Sequence, residues 1–188
     1  MDMPWGSETS AKFITNVGLI TSNGPNGHNI MAAEWVHQVS YSPGIIAVCI
    51  GHGKATNENI RATKEFGVSL AIASQNAMAS VAGGSTGKQV DKIKALNELG
   101  FKFYDAKKIK ALMVEGAVLN AECKVIHVAD LGDHTLFAGE VLDVKISSEE
   151  PAIYHGNKYF EFGQMIEKPA EKEMQRIKDA VEKFRKTA

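Results

Sequence analysis

The segment Gly51-His52-Gly53-Lys54-Ala55-Thr56 lies between the apolar run Ile45 to Ile50 and a helix start at Asn57. A strand that ends in a glycine-rich turn and feeds a helix leaves backbone amides free at the helix start. With the Lys54 ammonium and the Thr56 hydroxyl nearby, that arrangement makes a small anion site suited to a phosphate monoester. The same residues also read as an ordinary helix start, with Thr56 as the cap and Lys54 in solvent.

Competing motifs break down residue by residue. A dinucleotide fingerprint would need a third glycine where Thr56 stands. Gly83-Gly84-Ser85-Thr86-Gly87-Lys88-Gln89 resembles a nucleotide-triphosphate loop, but it is one residue short between its glycines and ends on Gln89 instead of a metal-binding hydroxyl. The six histidines show no close ligand spacing, so no metal is expected. No nucleophile elbow occurs, and Cys49 and Cys123 lack the spacing of a redox or zinc pair.

The elements that would position the lysine-bearing turn are mostly extended. Phe13 to Ser22 and His28 to Trp35 flank the dense turn signal Asn23-Gly24-Pro25-Asn26-Gly27 and read as a hairpin. Ile45 to Ile50 and Gly67 to Ala73 are short buried strands. Val118 to Val128 and Thr135 to Ile146 are long ones joined by Asp130 to His134, and Tyr154 to Phe162 adds short strands around Gly156-Asn157. Between them, Thr56 to Phe66 predicts a helix stopped by Gly67. Ser74 to Ala82 predicts one ending at Gly83-Gly84, and Val90 to Leu99 one ending at Gly100. Residues 168–186 form the clearest amphipathic helix, with Pro169 in its first turn and Met174, Ile177, Val181 and Phe184 on one face. We expect that helix to dock on its own domain in preference to a partner subunit. The order lacks strict strand–helix alternation, which argues for a mainly β fold, a β-barrel with peripheral helices and a C-terminal helix, in one domain spanning 1–188.

With 188 residues, 44% of them hydrophobic, the chain can bury the core of such a domain. A formal net charge of -1 offers no field for a nucleic-acid backbone, so none is expected as a partner. Residues 1–10 contain Asp2 and Glu8 and no apolar core of a signal peptide, and no run approaches a membrane span. Two cysteines without a disulfide pattern fit a reducing, cytoplasmic setting.

Ordered blocks from Phe13 to Phe162 resemble a known family. They are Val17-Gly18-Leu19-Ile20-Thr21-Ser22 with Asn29 to Trp35; Val39-Ser40-Tyr41-Ser42-Pro43-Gly44; Cys49 through Lys54, Thr56 and Asn59-Ile60; Ala82-Gly83-Gly84-Ser85 with Asp91-Lys92; Gly132-Asp133-His134-Thr135-Leu136-Phe137-Ala138-Gly139-Glu140-Val141; and Pro151 to Tyr159. Together they are similar to the flavin reductase-like family of FMN-binding split barrels, which holds short-chain flavin reductases and flavoredoxins. Gly44 departs from the family's second proline and Ile93 from its aromatic residue.

The resemblance implies a split β-barrel carrying FMN, with NADH or NADPH as electron donor, a free flavin or ferric chelate as acceptor, and a homodimeric assembly. It leaves open a flavoredoxin-like carrier reduced by a redox protein partner, or an FMN-binding module without turnover. It places Asn29, Met31, Ala32, Ala33 and Trp35, with Cys49, Ile50 and Gly51, along the ring and ribityl chain. Lys54, Thr56 and Asn59 fall at the phosphate, and Gly83 and Ser85 on a closing loop. Ordinary core packing is the competing reading for Ala32, Ala33, Ile50 and Trp35, surface exposure for Asn59, and a small buried apolar residue for Cys49. The resemblance puts His134 beside the flavin and the nicotinamide, as the one candidate for a direct role in catalysis; the alternative is a simple turn residue.

Overall fold

The structure, a computed structural model, describes residues 2–185. Its strands are β1 (Thr15–Asn16), β2 (Gly18–Ser22), β3 (Asn29–Ala33), β4 (Val36–Ser40), β5 (Ile45–Gly51), β6 (Glu65–Leu70), β7 (Phe103–Asp105), β8 (Leu112–Val114), β9 (Leu119–Leu131), β10 (His134–Ile146), β11 (Ile153–His155) and β12 (Lys158–Phe160). Four α-helices accompany them: α1 (Ala55–Thr63), α2 (Asn76–Gly84), α3 (Lys92–Glu98) and α4 (Glu171–Lys183).

The fold is mainly β. Seven strands form one antiparallel sheet in the order β3-β2-β6-β9-β10-β5-β4. Its two edge strands are neighbours in sequence, separated only by Glu34 and Trp35, so the chain turns one corner from edge to edge. The Cys49 amide donates to the Trp35 carbonyl at 3.1 Å and pins that corner. Gly18 permits the approach: a Cβ there would meet Val36 Cγ2 at 2.5 Å and the Ala33 carbonyl at 2.8 Å. Among the described residues β3 and β4 do not pair with each other, so the curled sheet is not a closed barrel.

Strand alternation divides the apolar residues between two cores. On β2, Ile20 points inward with Val48 and Ile50 of β5, Phe66 and Val68 of β6, Cys123 of β9, Phe137 of β10 and Ile60 of α1. Leu19 points outward to Ile30, Met78, Ala82, Ile93 and Leu96, which seat α2 and α3 on the outer face. Gly139 makes room for the largest inner residue, since a Cβ there would fall 2.6 Å from the Phe66 ring and 2.8 Å from Cys123 Cβ.

Beyond shifts of a few residues at element ends, the helices depart from the sequence expectation in their stop, their cap and their docking. Helix α1 stops at Lys64, not Gly67, because Lys64 adopts the left-handed conformation (φ 60°) and its amide bonds the Ile60 carbonyl at 2.8 Å. Glu65 to Leu70 is thereby released to pair with β2 and β9. Thr56 does not cap α1; Lys54 holds the N-cap position and no side chain caps the helix. The tail helix does not dock on its own domain: α4 has no buried residue, and Ile177 and Val181 stay exposed. Its apolar stripe finds no facing groove, so amphipathic spacing alone does not define a docking site. Lys186, the last residue of the expected helix, lies outside the described residues.

Candidate functional site

The site forms where β5 runs into α1. The backbone of Lys54 is extended and its amide bonds the Gly51 carbonyl at 3.2 Å, which turns the chain sharply into the helix. Ala55, Thr56 and Asn57, the first residues of α1, are all buried. With no side-chain cap on this end, the helix start offers uncompensated donors and the positive end of its dipole. Thr56 is fully buried, and its hydroxyl accepts a 2.7 Å hydrogen bond from the side-chain Nδ2 of Asn29 on β3, which leaves the hydroxyl proton free to donate.

Two ammonium groups complete this corner. Lys54 is exposed and folds back over Gly51, so that a Cβ on Gly51 would lie 3.7 Å from Lys54 Cε. Lys92 is 2% exposed, and its Nζ donates to the carbonyls of Ala82 (2.9 Å) and Ser85 (3.2 Å). Burial, followed by the nearby charge of Lys54, pushes the Lys92 ammonium down to about 8. Among the described residues neither lysine forms an ion pair. The adjacent Asp91 is turned away, capping α3 through the Lys94 amide at 3.1 Å. Two neighbouring cations without a carboxylate, one of them buried, form an environment that a dianion would relieve.

On the other side of Gly51 lies a half-open aromatic mouth. Gly51 pairs across the sheet with His134, the first residue of β10 after the tight turn at Gly132-Asp133. The His134 ring stands 4.6 Å from that of Trp35, and Trp35 is 48% exposed. Asp133 contacts His134 Nδ1 at 2.6 Å, and this contact holds the Asp133 carboxyl below its usual range. Cys49 is partly exposed, with burial pushing its thiol up. From the outer face, Gly83 at the end of α2 approaches Ala32 (3.4 Å from a Cβ built on Gly83), so the helix end packs closely against β3.

The structure therefore brings together Asn29, Thr56 and the first turn of α1, and it gathers Lys54, Gly51, Trp35 and His134 around β5. Ser85 takes part through its carbonyl on Lys92, while its hydroxyl donates to the Val81 carbonyl at 3.0 Å. Asn59 has a different task. Its carboxamide donates to the Ser22 hydroxyl (3.2 Å) and the Gly27 carbonyl (2.9 Å) and accepts from the Asn26 amide (2.9 Å), which commits it to the turn between β2 and β3. The Ile50 side chain is sealed in the inner core, and Met31 packs against the same cluster, so neither side chain faces the Lys54–Thr56 corner. Ala33 is half-buried at the edge of that cluster. Sequence reasoning passed over Lys92. Its signal was the pairing of Asp91-Lys92 with the glycine loop at 83–85, which the fold converts into a buried cation beside Lys54.

The same ground is covered by a family model, the flavin reductase like domain, which matches residues 10–163. The chain is 28% identical to the NADH-dependent FAD reductase of Streptomyces globisporus over 80% of each chain. A protein of Archaeoglobus fulgidus is 34% identical over 62% of this chain, and that match spans 64% of the relative's length. Among solved structures, the NADH:FAD oxidoreductase of Streptomyces globisporus superposes with a TM-score of 0.75 at 25% identity, covering 83% of this chain and 90% of that one. A flavoredoxin from Methanosarcina acetivorans gives a TM-score of 0.78 at 19% identity over 94% and 98%. The anion corner, the aromatic mouth and both cores all lie inside the matched stretch, and the chain belongs to the flavin reductase-like domain family.

Proposed function

We propose that the protein is an FMN-dependent oxidoreductase of the split-barrel type, taking hydride from NADH or NADPH and delivering electrons to a free flavin or another small acceptor such as a ferric chelate. The observation that carries this reading is the corner at Lys54, Thr56 and Lys92: two cations without a carboxylate beside an uncapped helix start, opening towards Trp35 and His134. The donor set fits the phosphate of FMN. The glycine and alanine positions 51, 32 and 83 leave the backbone accessible to a flat ring.

When bound, FMN supplies the redox chemistry, accepting a hydride at N5 and releasing electrons singly or in pairs. The chain's part is placement. Lys54, Lys92 and the Thr56 hydroxyl hold the phosphate, and Asn29 fixes the orientation of that hydroxyl. Backbone groups on the free edge of Asn29 to Ala33, and those between Cys49 and Gly51 that Trp35, Asn57 and Lys54 do not already engage, would hydrogen-bond the polar edge of the ring. Trp35 and His134 narrow the mouth where a nicotinamide stacks and shield it from water. No side chain has to act as a general acid or base.

A second reading, a flavoredoxin-like electron carrier served by a redox protein, is supported by the fold match that covers 94% of the chain and so extends into the tail. We also infer a cytoplasmic homodimer. Exposed apolar side chains at Ile126, Val144 and Ile146 on β9 and β10 support the dimer, and light scattering on a sizing column tests it. No helix is long and apolar enough to cross a membrane among the described residues.

Anaerobic mixing of FMN-loaded protein with NADH or NADPH, followed by flavin absorbance, decides the main question. Fast bleaching supports the reductase. Bleaching only by a reduced redox protein supports the carrier, and no bleaching by any donor leaves an FMN-binding module. Protein that stays colourless and does not bind added FMN at micromolar concentration overturns all three.

A further inference from the structure

His134 stands at the tip of a hairpin built from two 13-residue strands, and such a tip swings unless something ties it down. One tie is backbone: β10 pairs with β5 as far as His134 opposite Gly51, and the His52 amide donates to the Asp133 carbonyl at 3.2 Å, which holds one of the two hairpin strands directly. The other is a chain of side chains reaching the tip from α1. Asp130 and Thr135 face each other across the ladder. The Thr135 hydroxyl donates to Asp130 Oδ1 at 2.8 Å and accepts from the Arg61 guanidinium at 2.8 Å; the same guanidinium nitrogen donates to Asp130 Oδ1. His52 Nε2 lies 3.6 Å from that oxygen. At its other end, Arg61 Nε donates to Asn57 Oδ1 at 2.9 Å, and Asn57 Nδ2 donates to the Ile50 carbonyl of β5 at 2.9 Å.

We propose that Arg61 and Asp130 are positioning residues for the nicotinamide, fixing the His134 tip relative to the phosphate-binding helix. The inference rests on the reading of His134 as the residue facing the donor. An ordinary surface ion pair contributes little, and both partners here are partly exposed (42% and 59%). What sets this pair apart is its attachment at both ends to buried groups, Asn57 (1% exposed) and Thr135 (0%). Arg61 also hydrogen-bonds to both strands of the hairpin, with its guanidinium carbon 5.8 Å from the Phe137 ring centre. The cluster converges on Asp130 Oδ1, which accepts from both Thr135 and Arg61, and the two charged partners are partly exposed, so removing either one loosens the tip from outside the core. A tip displaced by about an ångström matters most to a ligand that must stack in register for hydride transfer.

The test compares Arg61→Met, Arg61→Lys, Asp130→Asn and His134→Ala in the FMN-loaded protein. The expected result for Arg61→Met and Asp130→Asn is a KM for the nicotinamide donor raised about five- to twentyfold, with kcat and the FMN Kd within about twofold. Arg61→Lys, which keeps the charge but not the fork, falls between. The double variant Arg61→Met/Asp130→Asn is no worse than the more affected single one, as required of two residues acting as a unit. Unchanged KM in the Arg61 and Asp130 variants beside a raised KM in His134→Ala overturns the positioning role and leaves the proposed function standing. FMN Kd rising in step with KM also overturns it, because the defect would then lie in α1 as a whole. If His134→Ala itself leaves the donor KM unchanged, the reading of the mouth fails. Asp130→Asn keeps the shape of the side chain and provides a folded comparison if Arg61→Met is unstable.

Discussion

Gly87 lies so close over the Asn29 carboxamide that a Cβ at position 87 would overlap Asn29 Oδ1. Because the Asn29 amide is what orients the Thr56 hydroxyl, the loop after α2 reports directly on the anion corner. Gly87→Ala is expected to push Asn29 off Thr56 and weaken FMN binding by roughly a factor of ten, about the worth of one hydrogen bond to a charged group. Gly84→Ala, where an added Cβ meets nothing within 4 Å, is expected to leave the affinity unchanged. Titration of FMN fluorescence quenching distinguishes the two variants.

Lys92 predicts how flavin affinity varies with pH. Its ammonium is depressed to about 8 by burial and then by Lys54, while the unfolded chain keeps an ordinary lysine near 10.5. Between those values the unfolded chain binds more protons, so the ligand-free protein gains stability as pH rises from about 8 towards 10.5; below 8 the cost of burying the charge is fully present. Binding of a phosphate needs the protonated form, so FMN affinity is expected to hold below pH 8 and fall above it. Lys92→Met should weaken binding at neutral pH and flatten this profile. Paired titrations and melts at pH 7 and 9.5 check both signs.

Gly139 tests the inner core independently of the site. A methyl group there collides with the Phe66 ring and Cys123 Cβ, both fully buried. Gly139→Ala is expected to cost about 1–3 kcal/mol, a drop of several degrees in melting temperature for a domain of this size. Combining it with Phe66→Leu should return part of that loss, because the shorter side chain vacates the contested space. Calorimetry on the single and double variants gives the coupling.

Much of the architecture was readable where the chain's own period and punctuation carry the information. The β2–β3 hairpin follows from apolar alternation around a turn rich in Asn, Gly and Pro, and the junction of β5 with α1 from a strand run ending in Gly51 and Gly53. The boundary of α1 was not readable, because it depends on Lys64 accepting a left-handed backbone that glycine usually takes. The site divides in the same way. Lys54 and Thr56 could be named from local types and Asn29 from the resemblance alone, whereas the commitment of Asn59 depends on Ser22 and Gly27, more than thirty positions away. Lys92 and the Arg61–Asp130 chain escaped for the same reason. A cation becomes informative only once folding has decided which charges stand beside it. The tail shows the converse, since its amphipathic spacing was plain but the surface it would cover was not.

Gly51 serves two masters. It is the last rung of β5 opposite His134 and the first residue of the bend that launches α1. Under the proposed function this strand end acts as a ruler, setting the span between the group that would grip one extremity of a cofactor and the group that would guard the other. Lengthening the bend by a single amino acid would leave every side chain intact and still mismatch that span, so chain length between positions 51 and 54 should tolerate less variation than the identities of the residues there.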